Sequence, residues 1–319
     1  CYNVGDVSGD GYLGGILGLN RSSSTVADCY SAGNVDGTVD FGVVCGYSEN
    51  TNVTNCYYNN DIFGGTIDSD IIGTPLTAVD MLSSDALDTM KLTDPAWVKK
   101  PNDKASHTAY YPSFSEETAT AVKYTSGLSL EVSKDPVYGG DVKFTAKALI
   151  KYGENLASED SNGEFTLKLD NTTIVTSDEF SGNIAEWTAT TAGKTTLTLE
   201  FSSTSSEFHT GKLTENFVID IAKKVPAASD FTIATGSLEY NGRGHNVSVS
   251  AKQGMGKFTV KYYSDGKLLD SAPVNAGTYT FKIDADEGEF YSEKSDITDT
   301  DWEFTIAAAQ AQAIPDNEI

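Results

Sequence analysis

The chain has 319 residues, with 46 Asp and Glu against 22 Lys and Arg, a net charge of −24 and only three His. At roughly 100 to 150 residues per domain, this length predicts two or three domains, each able to bury its own core. The excess of acid excludes nucleic acid as an expected partner, because binding to phosphate needs a basic surface. No apolar run is long enough for a membrane span, so we expect no membrane insertion within this chain.

The first sixty residues contain an internal repeat. The segment that begins at Cys1 returns at Cys29, and its opening Cys-Tyr returns at Cys56. A second block, 12–19, recurs at 40–47 with the same 28-residue offset. Short apolar stretches separated by Gly, Asn, Ser and Asp at this period predict a β-solenoid. In such a fold the three cysteines stack on neighbouring strands, and we expect packed core thiols, with disulfides or a metal site as the alternatives.

The segment 77–90 predicts a short helix that covers the end of the repeats. Thr77 and Asp80 have the spacing of a capping box at a helix N-terminus. Four apolar residues recur every fourth position and mark one face: Ala78, Leu82, Ala86 and Met90. A solenoid needs such a cap because its last coil otherwise exposes strand edges.

Beyond residue 120 the sequence changes to strict alternation of apolar and polar residues. Several short segments with a period of two, separated by turn-forming residues, predict antiparallel β-sandwiches. The segments lie at 142–148, 165–169, 197–201, 217–221, 247–249, 258–262, 279–283 and 302–306. Pro226 marks a linker between two sandwiches, and Asp265-Gly266 predicts a type I′ hairpin turn. Trp187 is predicted to be a core residue.

Two of these regions resemble known families. The Gly-Gly-Ile-Leu-Gly core at 14–18, preceded by a Cys-Tyr strand, resembles the GLUG repeat of large secreted and surface-attached bacterial proteins. The second copy has Val43 where the second glycine stands in the first. The run at 238–242 together with 273–279 resembles the MBG-type repeat of bacterial surface proteins, and the preceding sandwich is similar in pattern to a bacterial Ig-like domain.

The resemblance implies an all-β chain: a short right-handed-type β-solenoid with a helical C-terminal cap, followed by two Ig-like β-sandwiches. The expected division is 1–115 for the GLUG-repeat solenoid end with its cap, 116–225 for the Ig-like sandwich, 226–308 for the MBG-like sandwich and 309–319 for a tail. It further implies a monomeric, extracellular segment of a bacterial cell-surface protein.

The sequence gives no motif for catalysis. The three histidines, His107, His209 and His245, stand in contexts rich in turn formers, which predicts surface loops. We therefore expect no enzyme and no catalytic or cofactor-binding residue, and a role in adhesion or as a stalk that displays a binding region. The partner is expected to be a host or environmental glycan or protein. The alternative is an accessory or glycan-binding region of a large secreted protease or carbohydrate-active enzyme.

Three aspartates are candidates for a structural calcium ion. Asp61, Asp68 and Asp70 lie in one oxygen-rich loop, and Ca²⁺ prefers oxygen ligands. Their spacing matches neither an EF-hand nor the Asp-containing nonapeptide repeat.

Five tyrosines are candidates for stacking against sugar rings. Tyr2, Tyr30 and Tyr57 recur in the repeat, and Tyr110 and Tyr111 form a pair. The alternative is that these rings pack within the ladder of repeats and leave only the hydroxyl at the surface.

Overall fold

Strands dominate the structure of this chain. The computed structural model describes residues 1–21, 24–49, 53–63, 73–152, 156–203, 206–236 and 238–309. Strands make up 51% and helices 6% of the structure, with two short α-helices, so the mostly β prediction is confirmed. Within these ranges, no helix combines the length and the apolar character needed to cross a membrane.

The chain divides into two compact units that are not contiguous in sequence. Unit 1 contains residues 1–131, 144–185 and 197–217. Unit 2 contains residues 132–143, 186–196 and 218–319. Segments of the central region belong to both units, and the division at 115 and 225 stays a prediction.

The N-terminal repeats of unit 1 pair in parallel. The strands of the first coil are β1 (Tyr2–Asn3), β2 (Val7–Gly9), β3 (Leu13–Gly14) and β4 (Leu17–Asn20). Their respective partners in the second coil are β5 (Val26–Ser31), β6 (Val35–Gly37), β7 (Phe41–Gly42) and β8 (Cys45–Ser48). Tyr2 lies opposite Tyr30 and Val7 opposite Val35, so each partner is the residue one repeat further along. The repeat seen in the sequence therefore sets the strand register.

A third strand extends this stack. Strand β9 (Val53–Asn59) pairs in parallel with β5 and places Cys56 opposite Cys29. Cys29 and Cys56 are buried, and all four cysteines of the chain are free thiols. Apolar side chains of the second coil and of the segment from β9 to Phe63 form a small core around them: Val26, Val35, Val43, Val44, Tyr58 and Phe63. The predicted stacking of Cys29 on Cys56 as packed thiols is confirmed.

The helical segment predicted at 77–90 is present, but as two helices rather than one. Strand β10 (Thr74–Leu76), which pairs with β9, precedes α1 (Ala78–Leu82) and α2 (Ala86–Thr89). The Asp80 N–H donates to Thr77 Oγ1 at 3.1 Å, and the Thr77 N–H donates to Asp80 Oδ2 at 3.2 Å, which confirms the capping box. The break falls at Ser83, whose backbone is extended with φ −67° and ψ 164°. The predicted apolar face is nevertheless buried throughout.

The remaining strands up to residue 221 form two antiparallel sheets. The first has the order β11-β12-β13-β14, with β17 paired to β13, and the second has the order β16-β15-β18-β19. The strands are β11 (Thr108–Tyr110), β12 (Ala121–Val132), β13 (Asp141–Tyr152), β14 (Leu156–Glu159), β15 (Glu164–Leu169), β16 (Thr172–Val175), β17 (Ile184–Thr188), β18 (Gly193–Ser202) and β19 (Lys212–Ile221). The alternation predicted for 142–148 and 197–201 is confirmed, since the apolar member of each pair is buried. Trp187 is partly buried, so the core position predicted for it stays a prediction.

One hydrophobic core within unit 1 joins the repeats, the cap and the following sheet. Tyr30 and Tyr57 from the repeats, Met81 from α1, Ile150 from β13 and Phe208 all belong to it. The Tyr30 hydroxyl donates to the carbonyl of Pro112 inside this core. The repeats therefore contribute to two cores: the small one around Cys29 and Cys56, and this larger one, which they share with the helices and the following sheet.

Unit 2 carries the second set of alternating strands. Strand β20 (Phe231–Ala234) pairs with β22 (Ser248–Ala251), and a larger sheet contains β21 (Leu238–Glu239), β23 (Phe258–Ser264), β24 (Lys267–Leu268), β25 (Gly277–Ala285), β26 (Lys294–Ile297) and β27 (Glu303–Ala307). Phe281 stacks on Trp302 at 5.2 Å between ring centroids, in the centre of the core. Asp265 and Gly266 both have positive φ, 47° and 76°, which confirms the predicted hairpin turn.

Candidate functional site

Asp61 is engaged in holding unit 1 together. Its Oδ2 accepts the Ala78 N–H at 2.7 Å and the Tyr152 hydroxyl at 3.0 Å, and it also accepts the Ser158 hydroxyl. This one oxygen therefore caps α1 and ties it to β13 and β14. The other two calcium candidates, Asp68 and Asp70, lie outside the described residues. Among the residues described, no group of three or more His, Cys, Asp or Glu is placed to hold a metal ion.

The five candidate tyrosines differ in burial. Tyr30, Tyr57 and Tyr111 are 0%, 5% and 4% exposed, so their ring faces are covered by protein. Tyr2 is half-buried and stacks on Tyr30 with 5.4 Å between ring centroids. Tyr110 is half-buried too, and the Lys100 ammonium lies 4.3 Å from the centre of its ring. The structure thus does not assemble these rings into one exposed platform.

A buried Asp-Ser-His cluster lies in unit 1 where the sequence predicted a surface histidine. The Ser206 hydroxyl lies 2.7 Å from Asp160 Oδ2 and 2.9 Å from His209 Nδ1. The three residues are only 2% to 4% exposed. Serine, not histidine, is the central member, whereas nucleophilic catalysis needs the histidine between the carboxylate and the serine. This geometry and burial are those of a structural hydrogen-bond network, and the surface-loop prediction for His209 is wrong.

The environment of His209 favours its neutral form. Burial lowers the pKa of His209, and the nearby charge of Asp160 opposes this shift without reversing it. Its Nε2 is buried and has no hydrogen-bond partner within the described residues. Protonation would therefore place a charge on an unpartnered buried nitrogen, which costs stability.

A pocket in unit 2 brings together residues that the sequence did not group. Its volume is about 340 Å³. The side chains that line it are Tyr138, Thr188, Thr190, Lys224, Lys252 and Tyr291. We call it the lysine–tyrosine pocket. It lies within the size range of roughly 300–1,000 Å³ typical of small-molecule sites.

A buried carboxylate organises the two lysines of this pocket. The Asp230 side chain is fully buried, and its Oδ1 lies 2.7 Å from Lys224 Nζ and 3.1 Å from Lys252 Nζ. Its Oδ2 accepts the Ala227 N–H at 3.0 Å. Burial by itself raises the pKa of Asp230, but the hydrogen bonds from Lys224, Ala227 and Lys252 outweigh it and leave the pKa lowered. Asp230 is therefore ionised and holds both ammonium groups in place.

Aromatic rings form another wall of the pocket. Tyr138 stacks on Phe290 with 4.6 Å between ring centroids and an interplanar angle of 22°. Tyr291 meets Tyr138 edge-on at 5.6 Å, and its hydroxyl lies 3.4 Å from Asp230 Oδ1. The rings are thus fixed by one another and by the carboxylate.

The sequence carried one signal for this pocket. Lys223-Lys224 is a basic pair in a chain with few Lys and Arg, but its position before Pro226 predicted only a linker. In the structure, the backbone of Lys224 is held by Phe290 and Ser292 through N–H to carbonyl hydrogen bonds of 3.0 Å. No protein-family model matches the chain and no curated protein matches it, so the assignment of function rests on the geometry of these sites.

Proposed function

We propose that this chain is a non-catalytic segment of a bacterial cell-surface protein. In this proposal residues 1–115 are the capped end of a GLUG-type β-solenoid, and an Ig-like and an MBG-like β-sandwich follow. The segment is extracellular and monomeric, and it serves in adhesion or as a stalk that displays a binding region. Its partner is a glycan or a protein of the host or the environment.

The observation that carries the proposal is the strand register of the repeats. Among the described residues, each strand pair between the first two coils joins residues one 28-residue repeat apart, for example Leu13 with Phe41 and Leu17 with Cys45. Parallel pairing between successive repeats is the arrangement expected of a solenoid, in which each coil contacts its neighbours. The two-helix cap supports the same interpretation, because it covers the end of the stack.

The continuous core of unit 1 supports a mechanical role. Tyr30, Met81 and Ile150 pack in one hydrophobic cluster, although they come from a coil, a helix and a sheet. A joint that buries shared apolar side chains resists bending more than a solvated linker does. Such a joint suits a segment that transmits force or holds a binding region at a fixed distance.

The chemistry of the described sites supports a non-catalytic role. The Asp-Ser-His cluster of unit 1 is buried and has serine in the centre. Asp61 accepts three hydrogen bonds on one oxygen and has a structural task. The lysine–tyrosine pocket has groups suited to binding a ligand rather than to catalysing a reaction.

The second candidate function is a glycan-binding accessory region of a secreted protease or carbohydrate-active enzyme. The lysine–tyrosine pocket favours it, because aromatic rings and polar donors around a small cavity are typical of sugar sites. Both functions share an extracellular location.

An adhesion assay tests the proposal. Beads carrying the full 319-residue chain should be retained on surfaces coated with mucin, plant polysaccharide or extracellular-matrix protein, and beads carrying an unrelated acidic protein should not. Equal retention of the two kinds of bead on every surface, with the chain shown to be folded by circular dichroism, would contradict the adhesive role and leave only that of a stalk. Retention on polysaccharide alone favours the accessory-region alternative over host adhesion.

A further inference from the structure

We propose that the lysine–tyrosine pocket of unit 2 binds the carboxylate-bearing sugar of an acidic glycan, a uronic or sialic acid. This inference rests on the proposed function, because it names the class of ligand that the same chain would bind. It is carried by the pocket's own geometry, charge and lining, and it adds the specific prediction that the ligand is anionic.

The two lysines give the pocket a positive charge. Lys224 and Lys252 converge on one oxygen of Asp230, so one carboxylate faces two ammonium groups. The local sum is one positive charge, in a chain whose net charge is −24. An acidic surface repels anions. An anion therefore binds more favourably where two lysines lie close together than elsewhere on this surface.

Both lysines retain N–H donors for a ligand. An ammonium group has three N–H donors. Among the hydrogen bonds of the described residues, Lys224 and Lys252 each direct one donor to Asp230 Oδ1. Because both nitrogens lie within hydrogen-bonding distance of the same oxygen, the two oxygens of one ligand carboxylate can reach both lysines at once.

The lysine donors are held in place before a ligand binds. Asp230 is fixed by the Ala227 N–H and by the Tyr291 hydroxyl as well as by the lysines. A flexible lysine normally loses side-chain entropy when it binds an anion. Here Asp230 already restricts both lysine side chains in the folded protein, so less entropy is lost on binding. The buried carboxylate thus acts as a positioning residue for the two donors.

Other residues of the pocket favour a sugar acid over a simple anion. Thr188 and Thr190 line the pocket, and the Thr188 hydroxyl donates to Asp141 Oδ1 at 2.8 Å, which leaves its oxygen as an acceptor for a ring hydroxyl of a sugar. Tyr138, held against Phe290, adds an apolar ring surface to the wall. The pocket volume of about 340 Å³ suits one monosaccharide unit rather than a long segment of chain.

The test is binding of monosaccharides to the full chain, measured by isothermal calorimetry and by saturation-transfer NMR. We expect glucuronic acid or N-acetylneuraminic acid to bind, glucose to bind at least about tenfold more weakly, and inorganic phosphate to compete only weakly. Equal binding of glucose and glucuronic acid, or phosphate binding as tight as that of the sugar acids, would overturn the proposal.

Variants locate the site. Lys252 is suited to substitution because its side chain is 58% exposed, so Lys252→Gln leaves the core intact. Loss of a charge-assisted hydrogen bond is expected to weaken sugar-acid binding at least about tenfold. Lys267→Gln makes the same charge change at an exposed hairpin position and should leave binding unchanged, and Lys252→Arg should retain most of it. Unaltered affinity in Lys252→Gln would overturn the proposal.

The outcomes separate this inference from the proposed function. If Lys252→Gln loses the sugar acid but beads carrying it are still retained on the coated surfaces, the pocket is a sugar-acid site and adhesion uses another surface. If the wild-type chain binds no sugar acid while its beads are retained, the pocket proposal fails and the adhesive function stands.

Discussion

Gly15 provides a sharp test of the close stacking between the two N-terminal coils. A Cβ atom at this position would lie 2.5 Å from the carbonyl oxygen of Val43 and 2.0 Å from Ser31 Oγ. Its φ lies outside the positive range, so Gly15→Ala is a question of space alone. Gly5 is a matched control in the same coil, because a Cβ there meets only Asn3 Oδ1, at an ordinary 3.8 Å.

The expected cost follows from which atoms can move. Ser31 Oγ is buried and has no partner among the described residues, so this oxygen can turn away, but Ser31 Cβ would lie 2.8 Å from the new methyl group and moves only with its backbone. The Val43 carbonyl is backbone, and it accepts the Gly15 N–H at 3.0 Å, so it must retreat by about half an ångström and weaken that bond. Overpacking costs about 1–3 kcal/mol and a hydrogen bond about 0.5–1.5 kcal/mol, which gives roughly 2–4 kcal/mol for Gly15→Ala.

Hydrogen–deuterium exchange measures this cost locally. The amides of Gly15 and Ile16 donate to the second coil, both at 3.0 Å, and report separation of the coils. We expect them to exchange about thirtyfold faster or more in Gly15→Ala, since 1.4 kcal/mol corresponds to a factor of ten. Gly5→Ala should change their exchange little or slow it slightly. Equal exchange in the two variants would refute the close approach of the coils at Gly15.

Three further predictions concern stability. Phe281→Ala removes a ring from the centre of the unit 2 core and should cost about 3–5 kcal/mol in urea unfolding followed by tryptophan fluorescence, whereas Val218→Ala, at a side chain 71% exposed, should stay within about 0.5 kcal/mol. Asp61→Ala leaves a helix amide and two hydroxyls without their acceptor and should cost about 1–3 kcal/mol in thermal unfolding; an unchanged melting temperature would contradict the role given to this carboxylate. Because the folded pKa of His209 lies below the ordinary value of 6.5, its contribution to stability is present above pH 6.5 and is lost as pH falls through the folded pKa. His209→Asn should therefore show a shallower loss of stability between pH 7.5 and pH 5 than the wild type, and parallel curves would count against a buried neutral histidine.

Local patterns predicted much of the fold. The 28-residue repeat gave the parallel register of the coils, because identical positions in successive repeats must lie side by side to bury the same faces. Alternation gave the buried face of the strands, and Asp265-Gly266 gave the hairpin, since each depends on neighbouring residues only. The helix that covers the repeats was predicted from its capping box, but the break at Ser83 was not.

The sites could not be predicted in the same way. Asp61 meets Tyr152 across 91 residues, and no periodicity records which distant hydroxyl faces a given carboxylate. His209 lies in a segment rich in turn formers, but its side chain turns inward to Ser206 and Asp160. The lysine–tyrosine pocket draws Tyr138 together with residues from two other parts of unit 2, and sequence separation hides such convergence.

The shared core of unit 1 has a consequence for the order of folding. Tyr30 and Phe208 belong to one hydrophobic cluster although most of the unit lies between them in sequence. Closing so long a loop carries a large entropic cost, so contacts of this kind form late and slow the folding rate. The coils are synthesised before the segment that contains Phe208, so their contacts in the shared core are completed only when the chain as far as Phe208 is available. Until then the apolar faces that Tyr30 and Tyr57 bury in the shared core lack their partners, and a nascent chain is most prone to aggregation during that interval.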